Sequence, residues 1–286
     1  MKIRFLATLR VIVSLALFLS ASDLTASVLI TDKDKSILQE KLDKFATKVN
    51  LPIADLFLAV SHDFIGTPYV AKTLDHTIEE NLVVNLREFD CTTFVESTLA
   101  ITLTLKSGHP TIANFIEQLQ QIRYRGGSLN GYTSRLHYFS EWITDNQAKG
   151  LVTDISALLG GIKDPIDLNF MGNHPDFYPQ LKENRTFITQ IKQIEKSISA
   201  HNYSFIPKDQ VANHEEQLLN GDIVALTTRI QGLDVSHLGI IFKKNDKTYL
   251  LNASSVLGSV TVTPKTLVEY LNGSKNITGI FVVRVN

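Results

Sequence analysis

Phe89-Asp90-Cys91-Thr92-Thr93-Phe94-Val95-Glu96-Ser97 decides how the rest of this chain reads. It holds the one cysteine of 286 residues. Directly behind it comes an apolar run, Leu99-Ala100-Ile101 with Leu103 and Leu105, that stops at Gly108-His109-Pro110. Such a run with such a stop predicts a buried helix. Asp90 is a good N-cap, and Phe89 and Phe94 fall at the N′ and N4 positions of a hydrophobic staple. Cys91 then sits in the first turn, where free N–H groups and the macrodipole favour a negative charge. A thiol so placed can have its pKa lowered from about 8.5 into the ~3.5–7.5 range, a free Asp90 charge working against it. The plainer reading is a small apolar residue at the foot of a core helix.

The N-terminus bears on that choice. Lys2, Arg4 and Arg10 precede the apolar stretch Val11 to Leu19, and Ser20-Ala21-Ser22 follow. A basic region, a short apolar region and small residues predict a cleaved leader over 1–26, cut after Ser22 or Ala26. The apolar run falls short of the ~20 residues a spanning helix needs. The mature protein is therefore expected to be exported, periplasmic or secreted, with no stable membrane insertion. In an oxidising compartment an unpaired cysteine points to a reactive thiol or an intermolecular bridge. A net charge of -1 with 20% charged residues suggests no nucleic acid partner.

Outward from the cysteine, the periodicity predicts helices over 32–49, 53–62, 111–122 and 183–200, and a short strand at 82–86. The run Ser134 to Ile143, with Arg135, Tyr138 and Trp142, reads as a helix that mixes basic and aromatic residues. After Asn220-Gly221-Asp222 the period becomes two-fold, giving strands at 223–228, 235–242, 248–253 and 280–285, with a hairpin turn at Asn245-Asp246. The class is α+β: a helical N-terminal half whose cysteine helix packs on a C-terminal antiparallel sheet, one domain over 27–286 with an insertion at about 107–220.

A cysteine nucleophile needs a base, and the base needs an orienting group. Among the eight histidines, His237 interrupts an apolar strand, so its imidazole must find a polar partner or face a cleft; a core histidine bonded to backbone is the competing reading. Asn252 is a polar residue one strand later, near-opposite to His237 if the hairpin pairs simply. Cys91, His237 and Asn252 together would make a Cys-His-Asn triad. A zinc hydrolase is the rival enzyme class, but no His-Glu-x-x-His spacing occurs, and neither a metal nor another cofactor is expected. A binding module with a degenerate site is the rival outside enzymes.

Gly66-Thr67-Pro68-Tyr69, then Phe89 to Glu96, then Ser236-His237-Leu238-Gly239 resemble the NlpC/P60 superfamily of cell-wall cysteine peptidases. More narrowly they resemble its N-acetylmuramoyl-L-alanine amidase-like branch, DUF1460. The segments Arg135 to Trp142, His174 to Pro179 and Asn220 to Ile223 look like that branch too. The resemblance implies a papain-like fold and hydrolysis of an amide in peptidoglycan or a muropeptide. By it, Cys91 is the nucleophile, His237 the base, Tyr69 a neighbour of the oxyanion, and Asn252 the third polar position, where many relatives carry histidine. Arg135 is expected to pair a stem-peptide carboxylate, and Tyr138 or Trp142 to stack on a sugar. The bond between the muramyl lactyl group and L-alanine is the expected target. The alternative is the bond between γ-D-glutamate and the diamino acid.

Overall fold

A computed structural model describes residues 27–286; the leader expected at 1–26 lies outside them. Strand β1 (Val28–Ile30) leads into helix α1 (Asp32–Phe45), which Thr31 and Asp34 start with a capping box. Leu51-Pro52 ends that helical stretch, and α2 (Ile53–His62) follows. Strand β2 (Leu82–Val84) pairs parallel with β1, a non-local pairing that no periodicity announces.

Helix α3 (Cys91–Lys106) is the central element. Phe89 meets Phe94 edge to face at 5.8 Å, the two closing the staple over the first turn. Unlike a surface helix, α3 is wrapped by α1, α2, α4 (Ile112–Arg123) and the sheet, so polar residues on it are buried as well. Thr98, Thr102 and Thr104 satisfy their hydroxyls by donating to the carbonyls of Phe94, Thr98 and Ala100. Glu96 is the costly member, 2% exposed, and it is met by Arg123 Nε at 2.6 Å. Burial pushes the Glu96 carboxyl up while the Arg123 charge pulls it back. Arg123 Nη1 also donates to the Val83 carbonyl at 2.7 Å. One buried ion pair thus ties α3, α4 and β2 together.

The run expected to be helical from Ser134 departs from that expectation. A short 3₁₀ turn covers Tyr132–Ser134, Arg135 bridges antiparallel to Tyr124, and the helix α5 spans only Phe139–Ala148. Leu136 N–H donates to the Arg123 carbonyl, so the backbone of 135–138 is spent on a neighbouring strand-like segment rather than on a helical turn. Strands β3 (Val152–Asp154) and β4 (Ile162–Asp164) follow, and then the short helices α6 (Phe170–Asn173) and α7 (Pro179–Glu183) and the longer α8 (Arg185–Ser199) lead to β5 (Tyr203–Pro207).

After α9 (Val211–His214) come β6 (Ile223–Thr228), β7 (Val235–Lys244), β8 (Lys247–Ser254), β9 (Ser259–Val262), α10 (Leu267–Asn272) and β10 (Ile277–Val285). They form one antiparallel sheet ordered β4-β5-β10-β6-β7-β8-β9, with β3 also on β10. The hairpin turn sits where expected: Asn245 and Asp246 both have φ above +50°. One face of the sheet packs on the helices through Leu238, Ile240 and Leu251, and the other on α10 through Ile241, Leu250 and Leu267.

Arg123→Met is expected to cost about 3–5 kcal/mol by leaving Glu96 buried and unpaired, and adding Glu96→Leu should recover most of it. Urea unfolding of the single and double variants checks this. Additive losses would contradict it.

Candidate active site

Local geometry sets Cys91 at the first position of α3. Asp90 accepts from Thr93 N–H at 2.8 Å, and Thr93 Oγ1 accepts in return from Asp90 N–H at 3.0 Å. The preceding residue is pinned from the other side: Phe89 N–H donates to Pro68 O, and Val70 N–H donates to Phe89 O. Tyr69 lies between those two bonds, and its own N–H donates to Gly258 O at the β8–β9 turn. The 66–70 stretch therefore laces the cysteine turn to the end of the sheet.

His237 enters from β7. Its Nε2 lies 3.0 Å from Asn252 Oδ1. The Asn252 amide nitrogen donates to the carbonyls of Leu250 and Thr261, which fixes Oδ1 toward the imidazole. An amide oxygen only accepts, so Nε2 carries the proton and Nδ1 keeps the lone pair. The hairpin pairs in the simple register expected, Lys244 opposite Lys247 across Asn245-Asp246, so His237 and Asn252 come out near-opposite. Ile240 stands opposite Leu251, which puts Asn252 across from Gly239 and makes its bond to His237 a diagonal one. Gly239 is required here, since a Cβ would fall 2.4 Å from Leu250 Cγ.

Cys91 and His237 line one cavity of about 180 Å³. On the other side of His237 opens a groove of about 510 Å³, walled by Leu226, Ile230, Val256, Leu257 and Tyr270. Val256 is 88% exposed on its rim.

The electrostatics at Cys91 run against a resting thiolate. Burial, and next the Asp90 charge, push the Cys91 thiol up to about 11, although the Leu238 N–H, the Thr92 hydroxyl and the Cys91 N–H favour the anion. Burial also holds His237 below its ordinary value, with the Asn252 bond pulling partly against it. A raised thiol and a lowered imidazole make the resting pair neutral. Tyr69 stays protonated, pushed up by burial and by the charges of Cys91 and Asp90.

The expected substrate contacts are placed differently. Arg135 is buried and paired with Asp75 at 2.6 Å and Glu80 at 3.5 Å, so its charge is already compensated within the protein. Tyr138 is buried and donates its hydroxyl to Glu195 at 2.7 Å. Trp142 is buried and stacked on Phe139 with ring centroids 4.9 Å apart. Tyr138 and Trp142 wall the Cys91 cavity; neither offers an exposed ring face to a sugar. Two residues without an assigned role do reach the site. His137 lines the cavity, and Tyr270 of α10 lines the groove and feels the Cys91 charge. Tyr270 carries no sequence signal, because only the fold of the last helix brings it near. Among the described residues no group of three or more His, Cys, Asp and Glu gathers to hold a metal ion.

Comparison with known proteins gives a consistent picture. The family model of AmiA-like, N-acetylmuramoyl-L-alanine amidase-like proteins matches residues 59–280. An N-acetylmuramoyl-L-alanine amidase from Bacteroides uniformis ATCC 8492 is 36% identical, with a TM-score of 0.78 over 82% of this chain and 99% of its own. A Bacteroides fragilis protein provisionally called a xylanase is 40% identical, with a TM-score of 0.76 over 80% of this chain and 100% of its own. A DUF1460 protein from Legionella pneumophila str. Philadelphia 1, 22% identical with a TM-score of 0.69 over 88% of this chain and 94% of its own, shares the fold. No curated protein matches the chain.

A neutral resting thiol predicts slow alkylation of Cys91 by iodoacetamide at about pH 7, with the rate climbing only above the ~8.5 of a free cysteine. The sign follows from the raised pKa, which keeps the protonated form as pH rises. Mass spectrometry of the labelled protein, with the denatured chain as reference, checks it. A fast reaction already complete near pH 6 would contradict it.

Proposed function

The chain belongs to the AmiA-like family of N-acetylmuramoyl-L-alanine amidase-like peptidoglycan hydrolases, and from that premise we propose that it is an exported cysteine amidase. Its target is the amide between the muramyl lactyl group and L-alanine of a muropeptide, cut in the bacterial envelope after removal of the 1–26 leader, on a papain-like fold of NlpC/P60 type. The observation that carries the cysteine mechanism is the His237–Asn252 bond, which leaves Nδ1 with the lone pair on a residue that lines the cavity holding Cys91.

Each step uses groups already described. As Cys91 Sγ attacks the amide carbonyl, His237 Nδ1 takes the thiol proton, so the neutral pair becomes charged only along the reaction path. The N–H of Cys91 at the start of α3 and the protonated Tyr69 hydroxyl stabilise the oxyanion. The imidazolium then gives its proton to the departing amine of L-alanine, leaving a thioester on Cys91. His237 next deprotonates a water that attacks this thioester, which frees the lactyl carboxylate and restores the thiol. Asn252 accepts from Nε2–H throughout and steadies the imidazolium.

Glycoside cleavage of the kind the Bacteroides fragilis relative's provisional name suggests needs a pair of carboxyl groups roughly 5–10 Å apart across the sugar. The walls of the cavity and groove carry a single carboxylate, Asp234, and it is buried and committed to the N–H and hydroxyl of Ser140.

Purified mature protein and a disaccharide tetrapeptide are expected to yield free tetrapeptide and disaccharide by mass spectrometry, with Cys91→Ala folded and inactive. A disaccharide dipeptide would move the cut to the γ-D-glutamyl bond, and an active Cys91→Ala would remove the nucleophile. His237 must be neutral to act as base, and its pKa is lowered. The acid limb of kcat/KM is therefore expected below the ~6.5 of a free imidazole, activity being lost as pH falls through it. An acid limb above that value would contradict the assignment.

A further inference from the structure

The cavity that holds Cys91 contains a second imidazole. His137 lies on the extended run between the Tyr132–Ser134 turn and α5, half-buried, and lines the cavity together with Cys91 and His237. Its Nε2 sits 2.9 Å from the Tyr132 carbonyl oxygen. That oxygen can only accept, so Nε2 bears the proton and Nδ1 holds a lone pair. Among the described residues Nδ1 has no partner, and it is not sealed away from solvent.

The surroundings keep this acceptor in place. The Tyr132 ring packs against the His137 ring at 4.5 Å, and the Arg135 guanidinium lies over the other partner of that pair, 5.1 Å from the Tyr132 centroid. Asp75 and Glu80 hold Arg135 in turn. Burial first, then the Arg135 charge, keeps His137 well below the usual imidazole range. The buried Arg135 network thus has a use other than holding a carboxylate: it fixes a neutral imidazole at the cavity wall.

We propose that His137 reads the substrate, its Nδ1 accepting a hydrogen bond from a secondary-amide N–H that flanks the scissile bond. A lone pair with no proton cannot serve a carboxylate or a carbonyl, and in a cavity of about 180 Å³ only a residue-sized piece of substrate reaches it. The proposal rests on the amidase reading. Two flanking groups have this chemistry: the 2-acetamido group of the muramyl sugar and the peptide N–H that follows L-alanine. The nitrogen of the scissile amide is instead the atom that His237 protonates, through its lone pair, as the amine departs.

The test uses the mature protein and three substrates. They are the parent disaccharide tetrapeptide, an analogue with a hydroxyl in place of the muramyl acetamido group, and an analogue with an ester in place of the amide after alanine. For wild type, kcat/KM is expected to fall about tenfold or more on one analogue, because the missing N–H leaves Nδ1 unpaired. His137→Phe should show the same loss on the parent, mainly through KM, and no further loss on that analogue. The affected analogue names the group. Wild type indifferent to both analogues would overturn the proposal, and so would losses from His137→Phe and from each analogue that multiply. If His137→Phe fails to fold by circular dichroism, the wild-type series alone decides. An uncleaved parent would instead overturn the amidase reading, and the proposal with it.

Discussion

The site depends on where the first turn of α3 is held. A helix buried on every side has no freedom to slide, and α3 is fixed at both levels that matter. Along its length the Glu96–Arg123 pair locks it against α4 and β2, at a position where water cannot compensate either charge. At its start the Asp90–Thr93 capping box, the Phe89–Phe94 contact and the backbone bonds of Phe89 to Pro68 and Val70 leave Cys91 one orientation. The sheet brings His237 to the same cavity from the opposite direction, and Gly239 lets Leu250 pack closely beside it.

This arrangement trades a charged resting state for a neutral one. The N-terminal dipole of α3 does favour a thiolate, yet burial and the adjacent Asp90 carboxylate outweigh it. Asn252 fits such a site, since a neutral partner orients the imidazole and stabilises the imidazolium without forcing it to be charged at rest. The role of Asp90 is then mainly structural: it caps α3 at some electrostatic cost to the thiol.

What was legible in the sequence is what local interactions determine. The staple, the N-cap and the Asn245-Asp246 turn each involve residues within a few positions of one another, and all three appear as read. The α+β class followed from the change of period after Asn220. Hidden features depend on distant partners. Arg135 looked free because Asp75 and Glu80 lie more than fifty positions away, and Tyr138 looked available because Glu195 is 57 positions away. The segment 135–138 carries helix-forming residues, but its backbone pairs with Arg123 and Tyr124 instead. His137 was visible as part of a recognisable run, though nothing local told which way its nitrogens would face. The upward push on the thiol was legible only in part: the Asp90 charge is local, whereas the burial that adds most to it is not.

The central claim is that Cys91 forms a covalent bond to the acyl side of the muramyl–alanine amide. Acid-quenching the mature protein within the first turnover on a disaccharide tetrapeptide, then weighing the intact chain and mapping the adduct, tests this most directly. The account predicts an added mass equal to the disaccharide lactyl acyl group, located on Cys91 and carrying no amino acid. An adduct that includes alanine and glutamate, an adduct on another residue, or full turnover with the chain never modified would contradict it.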